Sequence, residues 1–156
     1  MTNGRGGWEF DAVVEPLPWG RNVYTVLRLD PALESAARDR GTRRVEGTIE
    51  ETAVNLGINR ADVIADSFVY LGKQMQRRLG VVPGDVVSCE LRPADPEHVP
   101  VPDDVASALE DRALSDAFAA MPAAERRRLL QPIESAARAA TRERRVSALI
   151  EQVGGR

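Results

Sequence analysis

The stretch GKQMQRRLGVVPGDVV, residues 72–87, decides the fold prediction, because a helix, a turn and a strand follow one another in it. Residues 73–79 have the composition of one or two helical turns, and Gly80 suits the left-handed position at which helices often end. Pro83-Gly84 fits the two central positions of a type II turn, which leads into a strand over residues 85–91. This helix–turn–strand unit is typical of small β-barrels.

The same segment resembles the helix–turn–strand of swapped-hairpin transition-state regulators, which are DNA-binding dimers built around a double-split barrel. Lys73, Arg77 and Arg78 stand at i, i+4 and i+5, so one helical face would present all three to phosphates. The net charge of −3 and the lack of a second basic arm argue against this interpretation. Nucleic-acid binding through these three residues is therefore an alternative hypothesis.

The rest of the first half also has the pattern of short strands, with apolar and polar residues alternating at a period of two. Pro16, Pro18 and Gly20 predict a turn between the first two strands. Asp30-Pro31 predicts the start of a short helix, with Asp30 as its cap. Six short strands favour a small closed barrel over an open sheet. The predicted strands are 8–15, 23–29, 44–50, 52–58, 63–71 and 85–91.

The second half of the chain changes its pattern. Four prolines within residues 93–102 exclude a helix or a central strand and predict an extended connector. Apolar residues then recur at helical spacing, as in the last helix with Leu149 and Val153. The fold class is mixed β then α, a closed six-stranded, double-split-like β-barrel followed by three to four C-terminal helices. The predicted divisions are a disordered tail (1–7), the barrel (8–92), the connector (93–102) and the helical region (103–156).

Composition restricts the classes of function. No apolar run in the 156 residues approaches the roughly 20 that a membrane helix needs. Cys89 is the only cysteine, which excludes an internal disulfide and fits a cytoplasmic protein. His98 is the only histidine, which removes most acid–base triads and His-rich metal sites. We therefore expect a cytoplasmic protein with no membrane partner.

The candidate reactive groups all have simpler structural interpretations. The alternation around Cys89 places its thiol inward in a strand, as in an inert core residue. Asp103 and Asp104 are typical of residues that begin a helix, with no other clustered oxygen ligands nearby. We predict no catalytic residue, no metal site and no cofactor. The lack of a recognisable catalytic set favours a protein that is not an enzyme.

A polar segment between predicted strands is the candidate ligand site. Residues 54–60, VNLGINR, contain two asparagines and an arginine among apolar neighbours, which is unusual for a strand. Asn55, Asn59 and Arg60 would line a pocket at the barrel mouth and bind a small polar or anionic ligand. In the simpler alternative, the asparagines bond to the local backbone in a turn. An enzyme with its pocket at these residues is a third hypothesis.

Three further segments carry a family resemblance: VPVPDDV at 99–105, IESA at 133–136 and TRERRV at 141–146. They resemble the bacterial YdeI/OmpD-associated (bacteriocin-protection) family. Residues 8–91, with RVEG at 44–47 and PGD at 83–85, resemble its partner barrel, the domain of unknown function 1905 family. The resemblance implies a closed small barrel followed by helices, and no established biochemical activity. The chain departs from the family pattern at Pro132 and Ala137, where an aromatic residue and a lysine are usual.

These observations lead to one main functional hypothesis. The protein is expected to be a soluble bacterial binding module, monomeric or homodimeric, that binds a small ligand or another protein without catalysis. A role in protection from stress or a bacteriocin follows from the family name alone.

Overall fold

The computed structural model describes residues 7–155, so the predicted tail lies outside the described residues except for Gly7. The chain separates into two compact units, the first extending to Pro96 and the second beginning at Glu97. The first unit holds eight strands and two helices, and the second holds four helices, within the described part of the chain. No helix over these residues is long and apolar enough to cross a membrane.

The elements have the following bounds. The strands are β1 (Trp8–Val13), β2 (Glu15–Trp19), β3 (Asn22–Arg28), β4 (Arg44–Ile49), β5 (Thr52–Gly57), β6 (Asn59–Ala61), β7 (Ile64–Tyr70) and β8 (Val86–Pro93). The helices are α1 (Pro31–Asp39), α2 (Lys73–Leu79), α3 (Asp103–Asp111), α4 (Ser115–Ala119), α5 (Ala123–Glu134) and α6 (Ala139–Gly154).

Within residues 7–155 the strands form two antiparallel sheets of four strands each, and neither sheet closes into a barrel. Sheet A has the strand order β1-β8-β4-β5, and sheet B has the order β2-β3-β7-β6. The prediction of a closed six-stranded, double-split-like barrel is therefore wrong. Alternation identifies a strand and its two faces, whereas pairing between distant strands decides whether a sheet closes, and no local pattern encodes that pairing.

The predicted turn is right at Gly20 but wrong at Pro16 and Pro18, which lie within β2. This strand pairs only with β3, so it is an edge strand of sheet B. A proline lacks a backbone N–H, which an edge strand tolerates where that group would face away from its partner. The turn itself is at Gly20-Arg21, and Gly20 has a positive φ of 64°.

Several local predictions are confirmed. The Asp30 side chain accepts a hydrogen bond from the Ala32 backbone N–H at 2.8 Å and so caps α1. Helix α2 ends at Gly80, which has the left-handed conformation with φ 70°. Gly84 has the positive φ, 103°, that its predicted place in the turn requires. These features depend on residues only a few positions apart.

The core of the first unit contains side chains from both sheets and both helices. Leu27 and Val69 come from sheet B, and Val45 and Leu91 come from sheet A. Gly47 in β4 allows close packing against β8, because a Cβ at this position would lie 2.0 Å from the Glu90 carbonyl oxygen. The backbone there has a φ of 144°, which side-chain-bearing residues rarely adopt.

The second unit has its own core, formed by the apolar faces of α3 to α6. Val105 and Leu109 of α3 pack in one cluster with Ile133 of α5 and Ile150 and Val153 of α6. The helical spacing of the apolar residues therefore predicted the buried face correctly. The described residues of this unit, 97–155, form four helices, which agrees with the predicted three to four.

Candidate functional site

The three predicted ligand residues are distributed over both sheets. Asn55 lies in β5 of sheet A, whereas Asn59 and Arg60 lie in β6 of sheet B. The Asn55 Oδ1 accepts a hydrogen bond from Arg44 Nε at 2.8 Å, and its amide donates to Glu46 Oε2 at 3.4 Å. The Asn59 amide donates to the Gly57 carbonyl at 3.2 Å. Both asparagines thus make contacts within the fold, and ligand binding at these residues stays a prediction.

The three basic residues of the nucleic-acid hypothesis lie on α2 and are exposed. Arg78 Nη2 donates to the Ala53 carbonyl at 2.6 Å. Ala53 belongs to β5, an edge strand of sheet A, so Arg78 covers part of an edge whose backbone would otherwise be open to pairing. Lys73 and Arg77 stay at the surface, and nucleic-acid binding through this helix stays a prediction.

Cys89 has the properties of a core residue. Its side chain is buried in the first unit, as the alternation predicted. Burial raises the pKa of the Cys89 thiol from an ordinary 9.0 to about 12, with smaller contributions from Asp11 and Glu50. The thiol is therefore protonated at neutral pH and is a poor nucleophile. Over residues 7–155, no group of three or more His, Cys, Asp or Glu side chains has a metal-binding arrangement.

The outer face of sheet A carries a row of carboxylates beside an open groove. Glu9 of β1 lies directly opposite Glu90 of β8, although like charges in this position repel each other. The Ser88 hydroxyl lies 3.2 Å from Asp11 Oδ1, in position to donate to it. The sequence analysis did not identify this face. The carboxylates that line the groove are Glu9, Asp11, Glu50, Glu51 and Glu90.

The outer face of sheet B carries an aromatic row, which we define as Trp19 of β2, Tyr24 of β3 and Tyr70 of β7. The Trp19 and Tyr24 ring centroids are 6.0 Å apart, and those of Tyr24 and Tyr70 are 5.9 Å apart. The Trp19 side chain is 41% exposed and that of Tyr70 is 50% exposed, on either side of the half-buried Tyr24. The row contains both tyrosines of the protein and one of its two tryptophans.

The strand register explains why the three rings meet. Leu17 lies opposite Tyr24, and Val26 lies opposite Tyr70, so alternate residues of β2, β3 and β7 share one face. Leu17, Val26 and Phe68 form a buried apolar cluster on this face, with Tyr24 packed against it. The aromatic row therefore borders this buried cluster, which we call the apolar floor, and contacts it through Tyr24.

The other end of this face is charged. Arg28 Nε donates to Glu15 Oε1 at 2.5 Å, and Arg28 Nη1 donates to Asp66 Oδ2 at 3.3 Å. The hydrogen bond to Glu15 is the main reason that the pKa of Arg28 is raised, followed by the bond to Asp66. Two carboxylates thus flank one guanidinium beside the apolar floor.

Sequence reasoning did not find the aromatic row. Trp19 and Tyr24 flank the Gly20-Arg21 turn, and this hairpin was a signal that could have placed two of the rings on one face. Tyr70 joins them only because β7 pairs with β3, which is a long-range contact. Because Pro16 and Pro18 were assigned to a turn, the strand that forms the hairpin with β3 was not predicted.

In the second unit, one cluster of hydrogen bonds connects the segments that carried the family resemblance. Arg142 of α6 makes a bidentate pair with Asp104 of α3, with Nε to Oδ2 at 2.6 Å and Nη2 to Oδ1 at 3.1 Å. This bond lowers the pKa of the Asp104 carboxyl. Arg142 also donates to the Ile133 carbonyl at 3.2 Å, and Arg145 donates to the Pro132 carbonyl at 2.6 Å. The motif residues therefore join α3, α5 and α6, which is a structural role.

The family comparison identifies this same unit. Residues 98–154 match the family model described as bacteriocin-protection, YdeI or OmpD-associated. No curated protein and no solved structure matches the chain. The resemblance of residues 8–91 to the partner barrel family lies outside the matched range and stays a prediction. Residues 98–154, which lie in the second unit, are therefore similar to the bacteriocin-protection, YdeI or OmpD-associated family.

Proposed function

We propose that this protein is a non-catalytic protein-binding module and that the aromatic row on sheet B is its docking surface. The observation that carries the proposal is the partial exposure of Trp19 and Tyr70 on an apolar floor, 41% and 50% respectively. Single exposed apolar residues are common on protein surfaces, but a contiguous apolar patch often marks an interaction site.

The residue types fit a protein interface. Tryptophan and tyrosine are enriched among the few residues that dominate binding energies, because they bury a large area and lose little rotamer freedom. Trp19 and Tyr70 are already in contact with Tyr24, so their rings are partly ordered before a partner arrives. Such preorganisation lowers the entropic penalty of association.

The chemistry of the first unit supports binding over catalysis. The Cys89 thiol is buried and has a raised pKa, so it is protonated at neutral pH. The family description names protection against bacteriocins and association with OmpD. We propose a protective role that the protein performs by associating with another protein, without chemical turnover.

The test compares capture of proteins by the immobilised chain from extracts of its source organism. The Trp19→Ala/Tyr70→Ala double variant removes two rings of the aromatic row. Val86→Ser is the matched control, because Val86 is a 63% exposed apolar residue in β8 of sheet A. We expect a protein that the wild type and the control retain and that the double variant loses, with Kd then measured by calorimetry on purified components.

Two results would contradict the proposal. Equal retention by the double variant and the wild type would exclude the aromatic row as the docking surface. Chemical conversion of any retained compound by the wild-type protein would exclude a purely non-catalytic role. Circular dichroism of both variants checks that each is folded.

A further inference from the structure

We infer that the aromatic row takes a cationic side chain, a lysine or an arginine, from its protein partner. This inference rests on the proposed function and specifies the chemistry of the group that the row would bind. It depends on ring geometry, on the apolar floor and on the carboxylates that share the face.

The ring geometry favours a small cationic group over an extended flat ring system. The Trp19 and Tyr24 planes are inclined by 59°, and those of Tyr24 and Tyr70 by 74°. Bases and sugar rings stack on faces that lie flat against them, whereas these three rings are steeply inclined to one another. An ammonium or guanidinium group can contact more than one inclined ring, because the face of each ring carries negative electrostatic potential.

The apolar floor strengthens such a contact. Leu17, Val26 and Phe68 are buried beside the rings on the same face, and Tyr24 packs against them, which limits the access of water to that side of Tyr24. A cation–π contact is stronger where the cation is partly desolvated than where it is fully hydrated. The aliphatic part of a lysine or arginine side chain can also pack on apolar surface while its charged end contacts the rings.

The charges on the face favour a cation over an anion. Glu15 and Asp66 flank Arg28 at the end of the floor, so these three groups together carry one net negative charge. Arg21 lies at the hairpin turn next to Trp19 and is exposed, which would position a carboxylate of the same partner beside the bound cation. The whole chain carries a net charge of −3, which further favours a basic partner segment.

The test uses three short peptides, acetyl-Gly-X-Gly-amide, with X as arginine, citrulline or norleucine. Citrulline has nearly the shape of arginine without its charge, and norleucine is apolar and unbranched. Binding to the full chain is followed by NMR, through the ring signals of Trp19, Tyr24 and Tyr70. We expect the arginine peptide to bind at least about threefold more tightly than either neutral peptide, as a solvent-exposed cation–π contact implies.

Substitutions of Tyr70 test whether the arginine peptide needs an aromatic ring at this position or only an apolar side chain. Tyr70→Phe should keep the arginine affinity within about twofold, whereas Tyr70→Leu should weaken it at least about twofold. Val86→Ser should leave the affinity unchanged. Equal binding of the norleucine or citrulline peptide would overturn the cationic inference but leave the proposed docking surface intact. Absence of binding by all three peptides would also overturn it, whereas failure of the proposed function would appear in the capture experiment instead.

Discussion

The outer faces of the two sheets follow the same alternation but differ in the side chains that they carry. On sheet A the outward positions hold carboxylates such as Glu9 and Glu90, together with the exposed pair Val13 and Val86. On sheet B they hold Trp19 and Tyr70, whose rings are exposed beside a buried apolar cluster. A charged outer face is the ordinary state of a sheet with one wet side, whereas the exposed aromatic row is the surface that we propose for docking.

The largest expected loss of stability comes from a substitution that disrupts the packing of strands in sheet A and leaves sheet B unchanged. Gly47→Ala places a Cβ against the Glu90 carbonyl oxygen in a backbone conformation with φ 144°. Steric overlap and backbone strain together should lower the free energy of unfolding by about 3 kcal/mol or more. Gly20→Ala is the control, because its φ is 64° but its Cβ would meet nothing within 4 Å.

Urea denaturation measures both variants. We expect Gly20→Ala to lower the free energy of unfolding by only about 1 to 2 kcal/mol, from its left-handed backbone alone. Equal losses for the two variants would show that the close packing of β4 against β8 does not matter for stability.

The second effect concerns Cys89, whose side chain is on the buried side of sheet A. Its folded pKa of about 12 lies above the ordinary 9.0, so the unfolded chain loses the proton first as pH rises. The contribution of Cys89 to the free energy of unfolding is therefore fully present below pH 9, and it falls as the pH rises from 9 to about 12. Between neutral pH and pH 10, the free energy of unfolding of the wild type should fall by about 1.4 kcal/mol more than that of Cys89→Ala.

The measurement is urea denaturation of both proteins at pH 7, 9 and 10, under reducing conditions. If the free energies of unfolding of the wild type and Cys89→Ala changed equally with pH, the raised pKa of the Cys89 thiol would be contradicted. A thiol reagent at pH 8.5 should also react with the unfolded chain far faster than with the folded one.

The third effect tests whether the charged turn next to the groove is strained. Glu50 and Glu51 join β4 to β5 with positive φ values of 47° and 66°, where asparagine and glycine are preferred. Glu50→Asn/Glu51→Gly should raise the free energy of unfolding by about 1 kcal/mol, because it relieves both strained positions. A melting temperature equal to or lower than that of the wild type would show that the glutamates stabilise the turn.

The smallest effect compares the same substitution on the two outer faces. Glu90→Gln reduces the repulsion from Glu9 and should change the free energy of unfolding by only a few tenths of a kcal/mol. Glu15→Gln weakens the contact with Arg28 and should destabilise it by up to about 1 kcal/mol. Both changes in the free energy of unfolding should be smaller at high salt, because both interactions are at the surface and salt screens them. A loss of stability as large for Glu90→Gln as for Glu15→Gln would mean that charge pairing does not distinguish the faces.

Local sequence patterns predicted the parts of the fold that depend on near neighbours. The cap at Asp30, the helix end at Gly80 and the buried stripe of α6 are examples. The patterns did not predict how strands pair, so the closed barrel was wrong and β2 was assigned to a turn. Prolines are the reason for the second error, since Pro16 and Pro18 are typical of turns and occur in strands mainly at sheet edges.

The candidate site was the least predictable feature. Asn55 and Asn59 stood out because polar residues are unusual in strands, yet the structure assigns them contacts within the fold. Trp19, Tyr24 and Tyr70 did not stand out, because each is an ordinary strand residue when considered alone. Only their common exposure on one face makes them a candidate, and exposure depends on packing.

Local patterns along the chain were sufficient to predict the alternating faces of the strands, the caps of the helices, the apolar stripes of the second unit and its family resemblance. These properties arise from interactions over a few residues, so they can be read without a structure. The tertiary structure alone decided that β7 pairs with β3, which brings Tyr70 to Tyr24, and that Asp104 meets Arg142 across 38 residues. Such contacts form only when the buried faces pack together, because the free energy that selects them belongs to the whole core.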